Sequence, residues 1–104
     1  MKTYRQGDVL LIEAEGAIDP AARKVKREDG RIILAHGEAT GHAHAIDETD
    51  AELWEAPTGR RHLRLVKPAA LLHEEHAPIS LPSGLYDVRR QREYSPEEIR
   101  TVAD

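Results

Sequence analysis

The sequence predicts an all-β fold, and three observations carry that prediction. Its apolar runs are short, several alternate polar and apolar side chains with a period of two, and Gly, Pro and Asp punctuate the gaps between them. A chain of 104 residues makes one domain, 1–104, and on folding hides roughly 60–70% of the surface its unfolded chain exposes. About eight short strands joined by tight turns at this length predict a small single-domain β-barrel or sandwich. With one Trp, three Tyr and no Phe, its core must be built mainly from Leu, Ile, Val and Ala.

The elements follow in order. Gln6-Gly7-Asp8 reads as a turn launching Val9-Leu10-Leu11-Ile12, which is apolar on both faces and so predicts a central strand. Residues 20–31 are polar and read as a solvated loop or hairpin, closed by the turn pair Asp29-Gly30, from which the strand Arg31 to Ala35 departs. A further strand is predicted through His42-Ala43-His44. Glu52 to Glu55 and Arg60 to Val66 read as strands across the turn Pro57-Thr58-Gly59. Pro68 to His76 fits either a helix opened by Pro or an extended strand continuing through Pro78, and the extended form suits its pattern better. Leu85 to Tyr94 alternates again. Ser95-Pro96-Glu97-Glu98 then supplies an N-cap, a first-turn Pro and acids at the positive end of the dipole, predicting a short C-terminal helical turn.

Composition narrows the chemistry. The chain lacks a long apolar span and a signal-like leader, which predicts a cytoplasmic protein with no membrane partner. Without Cys there is no disulfide, thiolate ligand or cysteine nucleophile, so a metal would be held by imidazole and carboxylate; six His supply the means. A formal charge of −4 argues against a uniformly basic, nucleic-acid-binding surface. There is no Gly-rich phosphate loop ending in Lys-Ser/Thr and no GxSxG elbow.

His42 and His44 carry the sharpest local signal. Two apart on a strand, they project to the same side roughly 6–7 Å apart at the backbone, from which two imidazoles can converge on one ion. Ile46 shares their parity and predicts that they face inward. In the second cluster, His73-Glu74-Glu75-His76, extended parity places His73 and Glu75 with Leu71, Ile79 and Leu81 on the core side; His76 joins them only through a bulge. The expected ligands are therefore His42, His44, His73 and Glu75, with His76 as the alternate. Such a sulfur-free set suits a divalent transition metal, Zn, Fe, Mn, Ni or Cu. Glu38 and Glu74 are the expected proton-transfer groups and Tyr86 the expected pocket wall, with a small molecule as ligand. The competing reading makes these histidines surface groups bonded to neighbouring carboxylates.

The run GEATGHAH followed by Glu48 resembles the first motif of the cupin superfamily, and Leu81-Pro82-Ser83-Gly84-Leu85-Tyr86 is similar to its second. That resemblance implies a metal-binding β-barrel with His42, His44 and Glu48 as ligands. Asp87 and Val88 stand near the place of its last histidine, a role His73 would have to take. The blocks GEATGHAHAI and HEEHAPISLPSGLYDV, with the tail QREYSPEEIR, also resemble a small bacterial family of uncharacterised proteins, which implies no activity.

The alternative function is a non-catalytic binding or regulatory module. Its surface would be the basic strand face of Arg60, Arg64, Arg89, Arg90 and Arg92, with His62, meeting phosphates or an acidic protein. An exposed edge strand also offers a route to a homodimer.

Overall fold

Two glycine-bearing turns start the architecture in the computed structural model, which describes residues 2–37 and 41–91. The C-terminal helical turn expected from Ser95 onward, Glu38 and Arg92 lie outside the described residues. Gln6 pairs with Val9, which leaves Gly7-Asp8 as a two-residue loop with Gly7 at φ +59°. A positive φ at the first loop position alone is the signature of a type II′ hairpin turn, which Gly occupies without a Cβ penalty. The turn joins β1 (Thr3–Gln6) to β2 (Val9–Glu13). At Asp29-Gly30 both residues have positive φ, 53° and 78°, and Glu28 and Arg31 exchange both backbone hydrogen bonds across them. That is the type I′ geometry the Asp-Gly pair predicts.

The strands make one broad sheet and a covering layer. The sheet has six strands, with β10 (Gly84–Arg90) inserted between β2 and β7 (Arg61–Leu65), then β6 (Glu52–Glu55) and the two-residue β3 (Arg23–Lys24); β1 forms the other edge. Over it lie two hairpins, β4 (Ile32–His36) with β5 (Ala43–Ile46), and β8 (Ala69–Leu71) with β9 (Ile79–Leu81). Ala45 and Leu72 exchange two backbone hydrogen bonds, of 2.9 and 2.8 Å, which ties one hairpin to the other. Val9, Leu11, Leu63 and Tyr86 of the sheet and Leu34, Ile46, Leu71 and Leu81 of the hairpins share one buried cluster. Each aliphatic side chain so buried contributes about 1.5–3 kcal/mol.

Several expectations are met. The chain is all-β, β2 is an interior strand, and Leu63 and Leu65 point to the core while Arg64 points to solvent. Others are corrected. The sheets do not close into a barrel: β3 is too short to extend the ladder, and the hairpins stack on the face of the sheet instead of continuing its edge. The strand expected from Pro68 to Leu81 is two strands folded back on each other, with Ala69 opposite Leu81 and Leu71 opposite Ile79. Residues 74–76 form the bend between them. β1 and β3 went unread because their sequences are polar; each is a sheet edge with little buried surface.

Tyr86 is buried in the main core cluster. It packs edge-on against Tyr4 at 5.9 Å, and its hydroxyl donates to the Pro82 carbonyl at 2.6 Å. Burial pushes its phenol pKa up to about 12. No helix among the described residues is long and apolar enough to cross a membrane.

Candidate metal centre

Three separate chain reversals meet at one end of the layers: the Gly7 turn, the entry to β5, and the bend between β8 and β9. They bring four imidazoles together. The His73 ring is the hub, with centroid distances of 5.6 Å to His42, 4.4 Å to His44 and 4.6 Å to His76. His44 and His76 stack at 5.8 Å. The bend turns His73 and His76 to the same place, which an extended chain could not do because they are three residues apart. Ligand atoms of His42, His73 and Glu74 all lie within 4.8 Å of one another.

Both carboxylates of the bend lie near the imidazoles, in different ways. Glu74 joins the imidazole group, and its Oε1 accepts a 2.9 Å hydrogen bond from the Ala43 N–H, which holds its carboxyl below the usual range. Glu75 is largely exposed, with Oε2 3.8 Å from His42 Nδ1. Parity failed here because it presumes a straight strand.

His44 is the buried member. Its Nδ1 lies 2.8 Å from Gln6 Oε1, while the Gln6 amide nitrogen donates to the carbonyls of Leu71 and Ala77 at 2.9 and 3.0 Å. Nε2 of the same ring is 3.5 Å from Asp8 Oδ1, and Asp8 Oδ2 accepts from Arg90 Nη2 at 3.0 Å. Burial, and next the neighbouring His73, lower the His44 pKa from 6.5 to about 4.

With the folded pKa of His44 below its unfolded value, the unfolded chain binds the proton first. Stability is therefore full above about pH 6.5 and is lost as pH falls toward 4. The loss is on the order of 1–3 kcal/mol. Urea midpoints measured between pH 7 and pH 4 should fall accordingly, and His44→Gln should flatten that slope; an equal slope in the variant would refute the assignment.

Other candidates are placed elsewhere. Glu48 accepts from the Asp50 N–H at 3.2 Å and lies 3.7 Å from Lys67, so its carboxylate serves the turn after β5 and not the imidazoles. His36 is exposed beside Glu28, at 3.3 Å. The basic face is largely compensated: Asp87 pairs with Arg60 at 3.3 Å and Arg89 at 2.8 Å, Arg64 lies 3.8 Å from Glu52, and Arg90 turns to Asp8. Sequence reading missed Gln6, Asp8 and Arg90 as parts of the site. Gln6-Gly7-Asp8 had a sufficient local role as a turn, and nothing in the order of residues signals that an amide there meets an imidazole 38 positions on.

No curated protein and no solved structure matches the chain. A family model described as a domain of unknown function, DUF8820, matches residues 5–91, a span that holds the whole histidine cluster with Gln6, Asp8 and Arg90. Because that match covers most of its length, the chain belongs to the domain of unknown function family DUF8820.

Proposed function

We propose that this chain is a metal-binding protein whose site holds a divalent transition ion, Zn, Fe, Mn, Ni or Cu, between His42, His73 and Glu74. The carrying observation is that one ligand atom from each of these residues lies within 4.8 Å of the others, although the residues come from two distant segments. Nitrogen and oxygen donors without sulfur suit these ions, and three protein ligands leave a position for water or a small-molecule ligand. An ion there would act as a Lewis acid on that ligand, with His76 close enough to the cluster to exchange a proton with it.

Loading an ion on His73 has a local consequence. Its Nδ1 accepts from the backbone N–H groups of Glu75 and His76, at 3.0 and 3.4 Å. A neutral imidazole has one lone pair, so metal on either nitrogen requires Nδ1 to give up that acceptor role. The bend at 74–76 therefore rearranges with metal, and amide exchange at Glu75 and His76 should report it.

The principal test is retention of metal. Protein without an affinity tag, supplied with each ion in turn and desalted, should keep about one equivalent or more of at least one of them. His42→Ala with His73→Ala should abolish retention at this seat. Retention of less than about 0.2 equivalents of every ion, or binding unchanged in the double variant, overturns the proposal.

A further inference from the structure

At the β3 edge of the sheet the two layers part around a groove of about 930 Å³, within the roughly 300–1,000 Å³ of a small-molecule pocket. Ile32 of β4 and Leu53 of β6 are buried at its base, and Val25 and Val66 line it beside them. Val66 keeps 65% of its surface exposed there. Among the described residues no aromatic ring lines the groove, so its apolar wall suits a flexible aliphatic chain.

The polar rim is sorted by charge. Its acids are matched: Glu52 lies 3.4 Å from Lys24 and 3.8 Å from Arg64, and Asp50 lies 3.3 Å from Lys67. Its other two cations, Lys26 and Arg27, are not. The Arg27 guanidinium donates to the backbone carbonyls of Gly30, Glu48 and Ala51, which fastens the turn after β5 to the segment that follows β3. Those carbonyls are dipoles without net charge, so the bonds hold the side chain in place and leave its charge uncancelled. Among the described residues no carboxylate pairs with Arg27 or with Lys26. In a chain of net charge −4, positive charge left over beside an apolar groove is complementary to an anion with an apolar body.

We propose that this groove binds an aliphatic carboxylate, its chain along Val25, Leu53 and Val66 and its head group at Lys26 and Arg27. The groove shares no lining residue with the imidazole cluster, so the inference stands apart from the metal site proposed above.

Decanoate is the probe, titrated below its micelle concentration into metal-free, nitrogen-labelled protein and followed by amide NMR shifts. The shifts should gather at residues 24–27, 49–53 and Val66, away from the imidazoles. Octanoate, two methylenes shorter, should bind about tenfold more weakly. Decyltrimethylammonium, with the same chain and the opposite charge, should leave the groove signals in place. Lys26→Glu and Val66→Glu alter exposed side chains, and each should weaken decanoate binding by about fivefold. Shifts absent from the groove, or equal binding of the ammonium, overturn the proposal. Affinity unchanged in Lys26→Glu overturns it by showing an apolar groove without an anion seat, and affinity unchanged in Val66→Glu by showing that the chain lies elsewhere. Should either variant melt early, the comparison of the two head groups on the wild-type protein decides.

Discussion

Gln6→Leu is expected to destabilise the protein by about 3–5 kcal/mol, a large share of the roughly 5–15 kcal/mol that holds a small domain together. The side chain is 3% exposed, and its amide links three parts of the structure that are distant in sequence: the end of β8, the loop before β9, and β5. Leucine nearly matches its volume, so the cost is polar. The carbonyls of Leu71 and Ala77 lose their donor and His44 Nδ1 its acceptor, each where water enters poorly, at about 1–3 kcal/mol per group left unsatisfied. Gln6→Glu is the informative companion. It keeps the shape and the acceptor for His44 but turns an oxygen toward two carbonyl oxygens, so it too should destabilise. Urea unfolding of both variants at pH 7 measures the effect as a lowered midpoint at constant slope. A cost under about 1 kcal/mol in Gln6→Leu would mean that these hydrogen bonds do not hold the site.

Gly7→Ala is expected to cost about 1–3 kcal/mol and to disturb the imidazole cluster. One part of the cost is conformational, because φ at Gly7 is +59° in a turn that disfavours an L side chain. The other part is steric: a Cβ would lie 2.8 Å from His76 Nε2 and 3.1 Å from His44 Cε1. His44 is pinned by Gln6, whereas His76 is exposed, so His76 is the ring that moves. The two parts separate in a double-mutant cycle. In a His76→Ala background the steric part vanishes and Gly7→Ala should cost measurably less. Equal costs in the two backgrounds would show that the turn alone is strained and that the rings do not press on it.

Short-range patterns in the sequence specified a good deal of this protein. The II′ and I′ turns at Gly7 and Asp29-Gly30 follow from residues that tolerate positive φ. β2, β4, β6 and β7 follow from apolar runs or alternation. The meeting of two His-bearing segments was legible because His42 and His44 share a parity with Ile46, and because a second dense His-Glu block occurs in so short a chain. Parity also misled. It treated 71–81 as one strand, and it was the fold-back of β8 on β9 that brought His76 to the cluster and Glu74, in place of Glu75, to His42 and His73.

The sequence by itself therefore determined the all-β class and the main turns, since strand period and turn conformation depend on residues only a few positions apart. Tertiary structure alone decided the rest: the open sheet with hairpins laid across it, and the surroundings of His44. Asp8 meets Arg90 across 82 positions, and Gln6 meets the Leu71 carbonyl across 65. Such pairings depend on the order in which strands line up, and that order is chosen by burying the shared apolar face, a property of the whole chain that no local pattern encodes.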